Sequence, residues 1–500
     1  MSDREAEPQD GSGGSGRERD VLERLDDNVP SGFIWRLTIL SCLGGLLFGF
    51  DTSNIGSALN FVPKSYGLTS GFWSGYLVAG ASLGAAVGAI LAGPLTDRFG
   101  RKALLVADAG VYAVGSILSA VAPDGAVLLF ARTLIGLAIG ADSAIATAYI
   151  AEWAPRDRRG SLTMLQQWMI TVGILLAYVV ALIVLRIAPG SAGTVGWRII
   201  LGVGAIPAII GLILRAEMPE SPRWLMKNGK YDKVREAMDE LGIEVSVDAV
   251  KETAERLQRA AAREERRAKT AWTPGVRRAL VVVCMFFVFQ QITGINVPLY
   301  YGPHLLGPLL QGSSHSLVWT TIAGVEVTAM MTVVNVAATY FGFKYIDKLG
   351  RRPLSMGGYS GMIVFALIAA AGIGFLSGTS KTVLVMVGLC GFIASFAIGV
   401  GGTGWTIQGE TFPTEIRGQA AATGATADWL ANFALIEVFP TWNSGIGLDW
   451  VLVCFAALSA MAIVFIYRYL PETKGLSVEQ ITARYEEVQS SGSLAPVTQT

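Results

Sequence analysis

The stretch DRFGRK at residues 97–102 recurs as DKLGRR at residues 347–352, which lies 250 residues further along the chain. Each copy follows one long apolar segment and precedes another. The pattern Glu-x6-Arg-Gly likewise begins at both Glu152 and Glu410, and Pro-Glu-Ser at 219–221 is echoed by Pro-Glu-Thr at 471–473. Three matches in the same order at similar spacing indicate an internal repeat, so we predict two related halves.

The composition is typical of a protein that spans a membrane several times. Of the 500 residues, 52% are hydrophobic and only 16% are charged, whereas soluble domains carry about 25% charged residues. A membrane-spanning helix needs about 20 mainly apolar residues, and twelve segments meet this requirement. They are 34–56, 72–93, 103–122, 126–149, 161–186, 197–217, 279–302, 317–343, 354–376, 382–407, 419–440 and 448–470.

We therefore expect an all-α polytopic membrane protein with twelve transmembrane helices in two pseudo-symmetric six-helix bundles and a cytoplasmic helical linker. The segment between the halves is rich in charged helix-forming residues and indicates short surface helices. The expected parts are a disordered cytoplasmic N-tail at 1–32, a first bundle at 33–218, the linker at 219–278, a second bundle at 279–470 and a cytoplasmic C-tail at 471–500.

The basic residues give the orientation. The chain has 39 Lys and Arg and 39 Asp and Glu, so it has no overall basic field of the kind that attracts nucleic acid. The first thirty residues lack the apolar core of a signal peptide. If the N-terminus is cytoplasmic, thirty-four of the bases fall in cytoplasmic segments, four fall outside and Arg132 alone is left inside the membrane. The positive-inside rule therefore places both termini in the cytoplasm.

The repeated charges all lie where helices leave the membrane on the predicted cytoplasmic side. There, acids and arginines can pair across the two bundles and hold that side shut, and breaking these pairs would open it. Single charges of this kind are ordinary interfacial anchors, but their repetition favours a gate. The predicted gate residues are Asp97, Arg98, Arg101, Glu152, Arg159, Glu220, Arg223, Asp347, Arg351, Arg352, Glu410, Arg417 and Glu472.

Five stretches of this chain resemble signatures of the sugar porters of the major facilitator superfamily. The resemblance runs from about residue 33 to residue 480 and implies a twelve-helix transporter of a monosaccharide or a related polyol, without a cofactor. The pair PESPRWL and QQITGIN is specific to that family, whereas the DRFGR loop marks only the superfamily. The stretches are GGLLFGFDTSNIG (44–56), GPLTDRFGRK (93–102), PESPRWL (219–225), QQITGINVPLYY (290–301) and PETKG (471–475).

The resemblance also implies which side chains bind the sugar. Amides both donate and accept hydrogen bonds, as a ring of hydroxyls requires, and an aromatic ring covers an apolar sugar face. A single Gln in a span is more often a contact between helices, but several amides beside a tyrosine pair favour a site. The implied amides are Gln167, Gln290, Gln291, Asn296 and Asn335, and the implied aromatic partners are Trp405, Tyr300, Tyr301 and Trp429.

Asp51 and Arg132 are the charged residues that we expect to couple transport to protons. A charge inside the bilayer is costly, so such residues are functional candidates. In proton-coupled members of the resembled family, the matching Asp carries the proton and the matching Arg is its partner. A static structural ion pair is the alternative reading.

Two departures from the family pattern bear on the substrate. Residues 399–405 read GVGGTGW where the family has a Gly-Pro pair, and glycine also permits a bend. Asp428 stands where the family has an amide. It can hydrogen-bond a sugar hydroxyl, bind a cationic group, titrate as a second site or pack as a satisfied polar residue.

The resulting hypothesis is proton–monosaccharide symport by a monomer in a prokaryotic inner membrane, with a sugar, a proton and the lipid bilayer as its partners. The alternatives are a sugar facilitator, a symporter of a polyol or a cyclic hydroxy-acid such as inositol or quinate, and a non-transporting sugar sensor. An enzyme is disfavoured, because His304 and His315 have no metal-ligand spacing or nucleophile around them and are expected at the surface.

Overall fold

The computed structural model describes residues 21, 32–62, 64–68, 71–153, 159–240, 242–311, 316–413, 415–476 and 478–491, and this part contains helices and turns but no strand. The predicted N-tail lies almost entirely outside the described residues. The helices before the linker are α1 (Gly32–Ala58), α2 (Gly71–Phe99), α3 (Arg101–Val121), α4 (Gly125–Trp153), α5 (Arg159–Ile187), α6 (Trp197–Gly202) and α7 (Ala205–Ala216).

The rest of the described chain is helical as well. In the linker, short helices bury residues such as Trp224, Val234 and Met238 against one another. The helices are α8 (Pro222–Lys227), α9 (Tyr231–Asp239), α10 (Val247–Ala271), α11 (Pro274–Ile292), α12 (Asn296–Tyr300), α13 (Gly302–Gln311), α14 (Leu317–Leu349), α15 (Arg351–Phe375), α16 (Gly378–Gly399), α17 (Thr403–Thr411), α18 (Arg417–Ile446), α19 (Leu448–Tyr469) and α20 (Val478–Ser491).

The predicted all-α membrane architecture is confirmed. Within the described residues, eleven helical stretches are long and apolar enough to cross a membrane. The remaining predicted span, 419–440, lies in helix α18, which has 30 residues. It is less apolar because it carries polar side chains such as Asp428 and Asn432, and both of these are buried against other helices. Helix α18 therefore faces the interior of the protein with its polar residues.

Three predicted spans are not continuous helices, because the chain bends within each of them. The span at 197–217 is interrupted between α6 and α7, and the span at 279–302 is interrupted between α11 and α12. At the second break Gly294 has a φ of 93°, a conformation that glycine adopts at little cost. The span at 382–407 is interrupted between α16 and α17, where the glycine-rich run permits the bend.

Small residues let helices of the first half approach closely. Gly136 and Gly140 lie one turn apart on α4. A side-chain carbon at either position would lie within about 2 Å of a backbone carbonyl oxygen of α2, that of Ala81 or Ala85 respectively. Any larger residue at these two positions would therefore separate α2 from α4.

The two halves meet along α2 with α18 and along α5 with α14. One end of the bundle carries the α2–α3 turn, the α14–α15 turn and the linker, and we call it the linker end. The opposite end is called the far end. At the linker end the two repeated turns have the same backbone geometry, since Gly100 and Gly350 have φ values of 100° and 92°.

Candidate functional site

Asp51 on α1 and Arg132 on α4 form an ion pair in the middle of the protein. Their side chains are only 2% and 1% exposed. Arg132 Nη1 donates to Asp51 Oδ1, and Arg132 Nε donates to the Leu77 carbonyl oxygen at 3.4 Å. The second carboxylate oxygen of Asp51 has no hydrogen-bond partner among the described residues, so one oxygen of this acid remains available.

The ion pair lines a small cavity between the halves. Ser82 on α2 completes the side formed by the first half, while Tyr300 and Trp429 come from the second half. The cavity has room for about one water molecule. The charged pair, a phenol and an indole therefore face one another across the interface between the halves.

Polar side chains of the second half continue from this cavity as a chain of hydrogen bonds. Gln291 Nε2 donates to Asp428 Oδ1 at 2.6 Å. Asn296 Nδ2 donates to Gln291 Oε1 at 2.8 Å and to Asn432 Oδ1 at 3.0 Å. The structure thus brings together three of the predicted site residues on α11, α12 and α18.

Asn432 is a site residue that the sequence analysis missed. Its Nδ2 donates to Ser82 Oγ at 2.9 Å and to the Tyr300 hydroxyl at 3.2 Å. It therefore links the amide chain of the second half to the first half. The available signal was its position four residues after Asp428, which puts both side chains on the same face of a helix.

The side chains of Gln290 and Tyr301 donate hydrogen bonds to backbone carbonyl oxygens. Gln290 Nε2 donates to the carbonyl oxygens of Val400 and Gly401 at 3.0 and 2.9 Å, at the break between α16 and α17. The Tyr301 hydroxyl donates to the Ile436 carbonyl oxygen at 3.0 Å. Gln290 Oε1 has no hydrogen-bond partner among the described residues and so keeps an acceptor free.

The remaining predicted contacts take no part in these hydrogen bonds. Trp405 is half-buried and packs against Phe287 with ring centroids 4.9 Å apart. Gln167 is half-buried on α5, and Asn335 is buried on α14. Instead, the neighbouring Gln166 joins α5 to α4, because Thr147 Oγ1 donates to its Oε1 at 2.7 Å.

At the linker end of the first half, Arg101 is the centre of a charge cluster. Its guanidinium lies 3.5 Å from Asp97 and 3.3 Å from Glu152, and its backbone N–H donates to Glu220 Oε1 at 2.9 Å. Glu152 also accepts from the Ser221 hydroxyl.

The second half repeats this cluster around Arg351. The Arg351 guanidinium lies 3.0 Å from Asp347 and 2.6 Å from Glu410, and its backbone N–H donates to Glu472 Oε1 at 3.0 Å. Glu410 also accepts from the Thr473 hydroxyl at 2.8 Å. The sequence repeat is thus a repeat of hydrogen bonds as well.

In the state observed, each of these ion pairs joins two residues of the same half. The predicted pairing across the bundles, which would hold this end shut, stays a prediction. Among the other predicted gate residues, Arg98 stacks on Phe99 and Arg223 is exposed. Arg352 and Arg417 donate to the backbone carbonyl oxygens of Tyr467 and Phe412. The side chain of Arg159 lies outside the described residues.

A second buried charge cluster was missed. Arg215 on α7 contacts Asp108 on α3 and Asp142 on α4 at 2.9 and 2.7 Å. The sequence analysis counted Arg215 with the bases of the cytoplasmic segment, but its side chain is only 1% exposed. Arg132 is therefore not the only buried base.

At the far end, direct contacts join the halves. Asn60 Nδ2 donates to Thr321 Oγ1 at 2.9 Å, and Asn60 Oδ1 contacts the ring of His304. Arg186 pairs with Glu326. His304 is exposed, as predicted, and His315 lies outside the described residues.

Comparison with known families gives one match over most of the chain. The model of the family "Sugar (and other) transporter" matches residues 37–485. This range includes the Arg101 and Arg351 clusters, the Asp51–Arg132 pair and the hydrogen-bonded amides of Gln291, Asn296 and Asn432.

Individual relatives agree with this match. The chain is 33% identical to the arabinose-proton symporter of Bacillus subtilis over 92% of this chain and 97% of the relative. It is 34% identical to the glucose transporter GlcP of Staphylococcus epidermidis over 90% of this chain and 96% of the relative. An inward-open structure of the xylose transporter XylE from E. coli matches with a TM-score of 0.75 and 28% identity, over 90% of this chain and 99% of that one.

Proposed function

Because this chain belongs to the sugar transporter family of the major facilitator superfamily, we propose that it carries a monosaccharide together with a proton. Among its relatives are a proton symporter for arabinose and a glucose transporter. The sugar is a pentose or a hexose, and the driving force is the proton gradient across the membrane.

The observation that carries this proposal is the buried ion pair of Asp51 and Arg132 at the interface between the halves. An acid buried in a membrane protein is retained at a substantial cost in free energy, so a functional role is the economical explanation. Within the described part of the chain, one oxygen of this acid has no hydrogen-bond partner, and the acid lines the cavity that Tyr300 and Trp429 close from the other half.

The proton and the sugar act on the same interface. A proton bound to Asp51 removes the charge that pairs with Arg132, so it changes the charge on the wall of the cavity that Tyr300 and Trp429 close from the second half. The sugar binds beside this pair, to the amides of Gln291, Asn296 and Asn432. Each substrate thereby changes the free energy of the halves' relative positions, which is what coupling requires.

The two halves rock about this central site and open one end at a time. The linker end is cytoplasmic, as the distribution of basic residues indicates. The far-end contacts between Asn60, Thr321 and His304 then close the outside in this state. The Arg101 and Arg351 clusters stabilise each half separately while the inside is open.

The protein functions as a monomer in the cell membrane of a prokaryote, with both termini in the cytoplasm. The support is that one chain supplies both sides of the cavity and both charge clusters.

The test is sugar accumulation in vesicles with an imposed pH gradient. Asp51→Asn keeps the size and hydrogen bonding of the side chain but cannot carry a proton. We expect it to abolish accumulation against a gradient and to retain exchange of labelled for unlabelled sugar. Asp124→Asn is the matched control, since Asp124 is exposed and only caps α4.

Accumulation by Asp51→Asn equal to that of the wild type would show that Asp51 does not carry the proton. A wild type whose uptake ignores the pH gradient would be a facilitator. Labelled hexoses, pentoses, inositol and quinate, offered in the same vesicles, identify the substrate.

A further inference from the structure

The first half contains a second group of ionisable side chains, separate from Asp51 and Arg132. Arg215 Nη1 donates to Asp108 Oδ1 at 2.9 Å and lies 2.7 Å from Asp142 Oδ1. The three side chains are between 1% and 5% exposed. They come from α7, α3 and α4, so the group lies where three helices of the first half pack together.

The other groups that face this cluster carry no charge. The remaining guanidinium donors of Arg215 reach the carbonyl oxygens of Leu40, Ser41 and Leu105 at 3.0 to 3.1 Å. From α1, the buried free thiol of Cys42 faces Asp142 and Arg215. Every nitrogen of the Arg215 guanidinium therefore donates at least one hydrogen bond, and Arg215 is the one cation that faces the two acids among the described residues.

Counting charges leaves the cluster out of balance. Two ionised carboxylates and one guanidinium carry a net charge of −1, and an uncompensated buried charge is strongly unfavourable. Both carboxyls meet the same nitrogen, Arg215 Nη1, so they are neighbours and repel each other when both are ionised. In the described part of the chain, Asp108 Oδ2 and Asp142 Oδ2 have no hydrogen-bond partner.

We propose that Asp108 and Asp142 form a second proton-binding site, in which the two carboxyls share one proton. The shared proton lets one carboxyl donate to the other and makes the cluster neutral. All three charged residues belong to the first half, which moves as a unit in the proposed transport cycle. The proton is therefore resident, and it is distinct from the proton that crosses the membrane.

The test is infrared spectroscopy of the full-length protein in lipid nanodiscs at pH 7. The absorption of protonated carboxyl groups, identified by its shift in D2O, is compared among variants. We expect Asp108→Asn and Asp142→Asn each to remove the signal of one carboxyl, because the remaining acid is ionised beside Arg215. Glu217→Gln is the control, since Glu217 is an exposed acid paired with Arg36, and it leaves the signal unchanged.

An undiminished signal in both Asn variants would overturn the proposal. The proposal also requires both variants to fold at pH 8, because each removes the uncompensated charge, so failure of both to fold contradicts it as well. As a second readout, the unfolding equilibrium constant of the wild type, divided by that of Asp142→Asn, should rise about tenfold per pH unit, because unfolding of the wild type releases the shared proton. None of these measurements needs transport, so the result is independent of the proposed symport.

Discussion

At the scale of single residues, the candidate sugar site depends on Asp428. Its carboxylate holds the amide of Gln291, which in turn accepts from Asn296. Asp428 gives Gln291 a buried carboxyl acceptor at 2.6 Å. The orientation of the Gln291 amide is therefore set by a residue that departs from the pattern of the resembled family.

Replacing Asp428 by Ala is expected to raise the KM for the transported sugar about tenfold. The physical reason is the loss of the hydrogen bond that holds Gln291, which is worth about 1.4 kcal/mol. Initial uptake rates at a series of sugar concentrations measure the change. Thr423→Ala on the same helix is the control, since its exposed hydroxyl bonds only to its own helix. A KM equal to that of the wild type would remove Asp428 from the site.

Gly44 makes room for the cluster of Arg215, Asp108 and Asp142. A side-chain carbon at Gly44 would lie 1.4 Å from Asp142 Oδ2, so Gly44→Ala must displace this carboxyl from Arg215. We expect the variant to unfold at a clearly lower temperature than the wild type. Gly357→Ala, where the added carbon meets no atom within 4 Å, should be unchanged or slightly more stable, because Ala favours helix. Equal melting temperatures for Gly44→Ala and the wild type would contradict the packing described here.

The sequence was informative about some of these residues and silent about others. Asp51 and Arg132 could be selected because a charge in an apolar segment is conspicuous, and the structure places them in contact, whereas their role in coupling stays a prediction. Arg215 lies at the end of an apolar segment, so an assignment from the sequence alone places it in the neighbouring cytoplasmic segment. Only the packing of α3, α4 and α7 brings it to Asp108 and Asp142.

At the scale of elements, broken helices position the site. Helix α11 ends at Ile292 and α12 begins at Asn296, so the amides of Gln291 and Asn296 lie on either side of a break. The predicted span ran through this break, although Thr293 and Gly294 within it and Pro298 just after it were visible signals in the sequence. The glycine run at the break between α16 and α17 was a visible signal, but its partner, Gln290, became apparent only from the fold.

Replacing Gln290 by Met is expected to destabilise the second half. The change leaves the carbonyl oxygens of Val400 and Gly401 without their donor, and unsatisfied buried acceptors cost about 1–3 kcal/mol each. Thermal unfolding in lipid nanodiscs measures the loss. Gln419→Met at an exposed position of α18 is the control. Unchanged stability of Gln290→Met would show that Gln290 does not support the break between α16 and α17.

At the scale of the whole molecule, the Arg101 and Arg351 clusters join helices within each half, whereas the far-end contacts join the two halves. The repeat in the sequence predicted two related halves, and the Arg101 and Arg351 clusters repeat even in their backbone hydrogen bonds. The sequence could not show that these clusters pair within each half, because pairing depends on which helices are neighbours in the state observed. The contacts that join the halves lie instead at the far end and around Ser82 and Asn432.

A disulfide across the far end tests whether the halves must separate there. In Asn60→Cys/Thr321→Cys, whose native side chains are joined at 2.9 Å, oxidation should stop sugar uptake and a reductant should restore it. The single variants Asn60→Cys and Thr321→Cys are the controls, since neither can form this disulfide, and oxidation should leave their uptake intact. Full uptake by the oxidised far-end variant would contradict rocking of the halves about the central site.

The central claim, that sugar and proton cross together through the site of Asp51 and Arg132, has one direct measurement. Proteoliposomes without a pH gradient receive an inward sugar gradient, and an internal dye reports the pH. The account predicts that the wild type acidifies the lumen as sugar enters, and that Asp51→Asn exchanges sugar without any change in pH. Sugar entry into wild-type vesicles at constant internal pH, or acidification by Asp51→Asn at the wild-type rate, would contradict it.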